Sequence, residues 1–212
     1  MPVVLTFGDS NTHGTPPIVD LGVYRRFDET TRWPCRMIAQ LGTGWHLVEE
    51  GLPGRTAQFE DPVMGAHMNG VSGLKIALES HGPIDVLVLM LGTNDVKARF
   101  SASATSVASG IAGLLDVALH RLMQERHGGF KVLLVCPAPV EEVGPIKAEF
   151  FGGAARSRAL PPLYQALAAN YGADYLDAGQ VIAVSPIDGV HFDPAAHAAL
   201  ADAVAEKLRQ MI

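Results

Sequence analysis

Apolar positions along the chain alternate between two patterns: short β-branched runs, and longer stretches with apolar residues three and four apart. The runs at 3–7, 45–49, 85–91, 131–136 and 173–176 predict five strands. The third and fourth are almost continuously apolar, as strands covered on both faces are. Between the strands the helical period takes over. One helix starts around Thr31-Arg32-Trp33-Pro34 and stops at Gly42, and a second covers 70–80 behind Asn69 as N-cap. A long third runs from 103 to 126 before Gly128-Gly129, and a fourth spans 160–170. The last opens with Asp193 as N-cap and Pro194 at its first position, and buries a stripe of Leu200, Val204 and Leu208.

Strand–helix alternation of this kind predicts an α/β fold: a five-stranded parallel sheet with helices on both faces, a single-domain three-layer sandwich in flavodoxin-like order. Residues 1–212 read as one domain, with no internal repeat, low-complexity tract or linker. Three strand-to-helix connections, 8–31, 50–69 and 137–158, exceed the usual handful of residues. Long ordered loops are usually functional. In a parallel sheet they leave the carboxyl ends of the strands, where such folds bind ligands.

Composition narrows the class. The chain has 212 residues, 48% hydrophobic and 18% charged, with a formal net charge of −6. No basic stripe marks it for nucleic acid. The longest apolar runs are too short to span a bilayer, and the first residues lack the pattern of a secretory signal, so no membrane partner is expected. Cys35 and Cys136 have no paired spacing, and a reduced, cytoplasmic location is the expectation. The eight histidines show no metal-ligand spacing, and no cofactor motif is present.

The chemistry-bearing residues fall in the loops. The first strand runs into Gly8-Asp9-Ser10-Asn11, which puts a serine hydroxyl at the ligand edge of the sheet. Pro53-Gly54 predicts a type II turn that points the Gly54 N–H outward. Asn94, in Gly92-Thr93-Asn94-Asp95 after the third strand, offers a side-chain amide, while Asp95 reads as a loop tie. Asp188 precedes His191 by three residues in a loop, so its carboxylate can fold back on the imidazole Nδ1 and leave Nε2 for the serine proton. Taken singly, each is ordinary turn chemistry. Together they are a nucleophile (Ser10), a base (His191) with its orienter (Asp188), and three donors for an oxyanion: Ser10 N–H, Gly54 N–H and the Asn94 amide. Activity is expected to fall in acid, because His191 must be neutral to take the proton.

These blocks resemble the SGNH, or GDSL-like, hydrolases over the whole chain and in the right order. The resemblance implies the same triad and the same oxyanion hole. One departure is that Asn11 stands where the family name has Leu. A closer similarity is to the bacterial arylesterase/acyltransferase branch, carried by Glu49-Glu50-Gly51-Leu52, Arg55-Thr56, residues 90–95, Lys97, Gly152-Gly153, Asp177-Ala178-Gly179 and residues 188–192. That resemblance implies a small-molecule ester partner, cleavage of short-chain and aryl esters, acyl transfer to alcohols or hydrogen peroxide, and homo-oligomers, octamers among them. No metal is implied.

Trp33, Arg55, Phe150 and Phe151 are further candidates for substrate contact, with Phe150-Phe151 placed as a lid or interface near the tip of the 137–158 insertion and Arg55 reading also as a surface or structural ion pair. Two rival classes are a metal-dependent phosphoesterase using Asp9, Asn94 and His191, and a catalytically silent flavodoxin-like binding protein. Within the enzyme class, a carbohydrate O-acetyl esterase and a thioesterase stand as alternatives.

Overall fold

A computed structural model describes residues 1–212. Five strands form one all-parallel sheet: β1 (Val3–Gly8), β2 (His46–Gly51), β3 (Val86–Met90), β4 (Lys131–Cys136) and β5 (Asp174–Asp177), in the order β2-β1-β3-β4-β5. This is the flavodoxin-like order, and it follows from right-handed crossovers that wind first one way and then the other from β1. The register aligns the strand ends. Gly8 of β1 lies opposite Gly51 of β2 and Met90 of β3, so the three following loops leave the sheet at one level.

Side chains alternate across the sheet. Leu5, Phe7, Leu87, Leu89, Val132 and Leu134 face one core, while Val4, Val86, Val88, Leu133 and Val135 face the other. The first core is closed by α3 (Gly70–Ser80), α4 (Ala104–Ala118) and α7 (Leu160–Tyr171). The second is closed by α2 (Trp33–Leu41) and α8 (Pro194–Met211), which pack on each other. The stripe of Leu200, Val204 and Leu208 is wholly buried there. Asn69 and Asp193 cap α3 and α8 through their side chains, accepting from Val71 N–H and Ala196 N–H. No single helix is long and apolar enough to cross a membrane.

Three elements depart from the expected set. Residues 10–13 form a short helical turn, α1 (Ser10–His13), rather than plain loop. The long third helix is broken: α4 ends at Ala118, α5 (Arg121–His127) begins after His120, and the two meet at 52°. His120 supplies its ring to cap Leu122 N–H, and the Gln124 side chain donates to the Ala118 carbonyl, so both exposed helix ends find partners at the break. The insertion at 137–158 carries a further helix, α6 (Gly153–Arg158), fixed where Ser157 Oγ accepts from Val140 N–H at 3.1 Å.

Candidate active site

Ser10 is the first residue of α1, directly beyond the end of β1. The turn closes tightly: the Asp9 carboxylate accepts from Asn11 N–H at 2.9 Å, and Thr12 folds back against Gly8. A Cβ on Gly8 would lie 2.0 Å from Thr12 Oγ1 and 2.8 Å from the Met90 carbonyl oxygen, so only glycine fits between the turn and β3. Packing thereby holds Ser10, 6% exposed, at the sheet edge.

Its partner comes from the other end of the chain. Ser10 Oγ lies 3.0 Å from His191 Nε2, and His191 Nδ1 lies 2.6 Å from Asp188 Oδ2. The carboxylate is gripped on every side. Oδ1 accepts from the N–H groups of Val190 and His191, each at 3.0 Å, and Oδ2 also accepts from Ile18 N–H at 2.7 Å. Burial works against the Asp188 charge, but the His191 hydrogen bond and charge and the backbone donors outweigh it, and its pKa falls below the usual carboxylate value. The order Asp–His–Ser is the arrangement in which an imidazole removes a hydroxyl proton while a carboxylate fixes its tautomer.

Two donor groups flank Ser10. The Pro53-Gly54 turn is closed by Arg55 N–H on the Leu52 carbonyl at 3.0 Å, with Gly54 at φ 92°, as a type II turn requires. No backbone carbonyl takes the Gly54 N–H. The Asn94 amide donates to the Arg55 carbonyl at 3.0 Å and reaches Asp9 Oδ2 at 3.4 Å. The first bond anchors the group. The second is long enough for a better-placed anionic oxygen to displace. Asp95, the neighbour, is a tie: both its oxygens accept from Ala57 N–H, at 2.9 and 3.0 Å. Burial pushes its carboxyl up to about 7.

The cavity beside these groups has a volume of about 270 Å³. Its apolar lining includes Ile18, Pro53, Met64, Ile146, Phe150 and Val190, and its charged lining is Lys97, Arg99 and Glu149. Phe150 is thus a wall residue, 1% exposed and part of the core, and not a lid. The other substrate-contact expectations are corrected. Trp33 is buried in the core that α2 and α8 close, and its backbone N–H donates to the His197 ring of α8, so its side chain is taken up by packing away from the cavity. Arg55 turns away from the cavity: it donates to the Gly8 and Glu50 carbonyls, lies 4.0 Å over the Phe7 ring and pairs with Glu50. Burial pushes its pKa down to about 10. Phe151 is 75% exposed and does not line the cavity.

Asn11 has a role that its place in the motif does not reveal. Its amide donates 3.1 Å to the Val190 carbonyl, tying the nucleophile turn to the histidine loop 179 positions away. Thr15, Ile18 and Ile146 carry no signal in sequence, since they lie in loops without period. Of the phosphoesterase ligands expected as a rival, Asp9 has Oδ1 on Asn11 N–H and Oδ2 facing the Asn94 amide, and both His191 nitrogens face protein partners. No group of three His, Cys, Asp or Glu side chains is placed to hold a metal ion.

A parallel α/β sandwich with a Ser–His–Asp chain at its carboxyl edge defines a serine-hydrolase class. The model of the GDSL-like Lipase/Acylhydrolase family matches residues 6–199, and the chain belongs to that family. Solved structures agree over the whole length. A carbohydrate acetylesterase from Sinorhizobium meliloti is 35% identical, with TM-score 0.93 and complete coverage of both chains. An aryl esterase of M. smegmatis is 34% identical, with the same TM-score and coverage. No curated protein matches the chain. The protein is an esterase of the SGNH fold, a carboxylic ester hydrolase.

Proposed function

We propose that the chain hydrolyses short-chain acyl esters, aryl and alkyl, through an acyl-enzyme on Ser10. The observation that carries this reading is the unbroken path from Ser10 Oγ through His191 to Asp188, at 3.0 and 2.6 Å. His191 takes the Ser10 proton as Oγ attacks the ester carbonyl. The oxyanion forms between Ser10 N–H, Gly54 N–H and the Asn94 amide, and the imidazolium gives its proton to the leaving alcohol. Water then resolves the acyl-enzyme by the reverse sequence. An alcohol or hydrogen peroxide in place of water gives acyl transfer or perhydrolysis, and the partition is read by adding alcohol and measuring the new ester.

The cavity volume of about 270 Å³ favours a small acyl group, since pockets for drug-sized ligands start at roughly 300 Å³. Its apolar wall suits an alkyl or aryl group. The similarity to an aryl esterase supports the aryl side, and the near-equal similarity to a carbohydrate acetylesterase supports acetyl as the acyl group. Release of p-nitrophenol from p-nitrophenyl acetate tests the reading, with Ser10→Ala beside wild type and with and without a chelator. We expect chelator-resistant turnover that falls by at least about 10³-fold in the variant. Turnover that survives Ser10→Ala removes the proposal.

A further inference from the structure

The cavity has two unlike walls, and the ion pairs of the charged one do not include Ser10, His191 or Asp188. Lys97 lines it with only 8% of its side chain exposed, and its charged partner is Glu149, whose Oε2 lies 3.3 Å from Nζ. The same oxygen takes Arg99 Nη1 at 3.2 Å, and Arg99 is held from behind by the buried Asp61 at 3.0 Å. The Phe150 ring lies 5.6 Å from the Lys97 nitrogen. An ammonium carries three donors and a carboxylate has two acceptor oxygens. Within the chain, the Lys97 ammonium has one acceptor near it, and both contacts to Glu149 fall on Oε2, which leaves Oε1 open.

Taking a lysine out of water is costly, and one contact to a half-exposed carboxylate offsets little of that cost. A purely structural ion pair gains nothing from sitting in the wall of a cavity next to a nucleophile. Burial pulls the Lys97 ammonium below its usual range against the opposing attraction of Glu149, which fits a cation short of partners.

We propose that Lys97 and Glu149 form a polar subsite for a hydroxyl group carried by the ester close to its reacting carbonyl. This rests on the Ser10 reading above and deepens it: such esters are preferred over plain alkyl esters of the same size. A hydroxyl accepts from the ammonium and donates to the free carboxylate oxygen at once. The four charges, Lys97, Arg99, Glu149 and Asp61, sum to zero. A substrate carboxylate would therefore face Glu149, and a substrate ammonium would face two cations. The hydroxyl leaves no charge unpaired. It belongs either to the acyl group or to the alcohol, and the chemistry of the subsite is the same for both.

Two matched pairs separate these sources: propyl acetate with 2-hydroxypropyl acetate, and methyl butyrate with methyl 3-hydroxybutyrate. The readout is the ratio of kcat/KM within a pair, hydroxylated over plain, so that a general loss of activity cancels. In wild type, one pair is expected to give a ratio of about tenfold, the value of a well-made polar contact, and that pair locates the hydroxyl. Lys97→Met brings the ratio close to one, chiefly through KM, while Lys97→Arg restores part of it. Glu149→Leu, at a half-exposed position, lowers it as well and covers the case in which Lys97→Met does not fold. A wild-type ratio near one in both pairs overturns the proposal, as does a ratio that Lys97→Met and Glu149→Leu leave unchanged. Failure of the Ser10 reading is seen separately, as turnover of the plain esters in Ser10→Ala.

Discussion

The two sides of the site are built in different ways. The catalytic side is held by backbone: Asp188 is fixed by three N–H groups, Ser10 by a capped helical turn, and Gly54 by a closed type II turn. The cavity wall is held by side chains from five separate loops, with Ile18, Met64, Lys97, Phe150 and Val190 among them. Backbone hydrogen bonds are made by almost any sequence of the right local shape, so the first side can persist while the second is rebuilt. Chemistry and selectivity can thus vary separately on one scaffold.

The sharpest way to break the backbone-held side is Asp188→Asn. The amide is nearly isosteric but stabilises the wrong imidazole tautomer and loses the charge that balances the imidazolium. A fall of about 10⁴ in kcat is expected with little change in KM, measured on p-nitrophenyl acetate. KM rising with kcat unchanged would place Asp188 in binding instead. Next comes Asn94→Ala. Loss of one oxyanion donor is expected to cost about 10² to 10³ in kcat. The variant also frees the Arg55 carbonyl and releases Asp9 Oδ2 from its long contact. If the loss is under about threefold, the Asn94 amide is only an anchor for the loop.

The same contrast explains what was legible in the sequence. Ser10, Gly54, Asn94, Asp188 and His191 lie in short motifs whose local conformation is set within three or four residues, and a parallel sheet gathers strand ends to one edge whatever their spacing. The strand order follows from alternation and handedness in the same way. The wall was not legible, because which loop side chains meet depends on how long insertions pack. Trp33 and Phe150 are both large and apolar and both lie near loops. Only tertiary packing sends one between α2 and α8 and the other to the cavity. Arg55 was ambiguous for a related reason: a cation beside an oxyanion turn suits substrate or a structural ion pair, and packing decides for the second, with Glu50, the carbonyls of Gly8 and Glu50 and the Phe7 ring taking it. The helix break at His120 had only a histidine as N-cap to announce it, a weak signal inside a strong helical period. Asn11 shows in the sequence only as a departure from the family name, because its contact to Val190 spans almost the whole chain.

On the side-chain-held wall, Phe150→Leu is the matching test. It removes ring volume from the cavity while keeping an apolar core residue, and the loss of stability should stay below the roughly 3–5 kcal/mol of a truncation to alanine. The ratio of kcat/KM for p-nitrophenyl butyrate over acetate should rise roughly tenfold, the scale on which a methylene's worth of space discriminates. Unlike Asp188→Asn, the variant should leave acetate turnover within a few fold. A ratio that does not move would mean the acyl chain lies against another part of the wall.

The smallest effect on turnover, and the one that separates fold from site, is expected from His197. Its ring is fully buried under α2, with Nδ1 accepting from Trp33 N–H at 3.3 Å. Burial, against the attraction of Asp193 and helped by His191, Arg32 and Arg36, pushes its pKa down to about 4. In the unfolded chain the imidazole titrates near its ordinary 6.5. Between these values the unfolded chain binds a proton that the folded chain refuses, so stability rises with pH across the window. The contribution is complete above 6.5 and is lost progressively as the pH falls towards 4; from the shift it is on the order of 3 kcal/mol. In His197→Asn, the side-chain oxygen can still accept from Trp33 N–H while carrying no titrating group. Its melting temperature should therefore fall less steeply than that of wild type between pH 6.5 and 4. Some slope will remain, because burial beside Arg26 and Arg32 also pushes His13 down to about 4. The acid limb of activity should not move in this variant, since Ser10, Asp188 and His191 keep their partners. If the acid limb shifts together with the melting curve, loss of activity in acid is loss of the fold, and His191 protonation is not what limits the enzyme there.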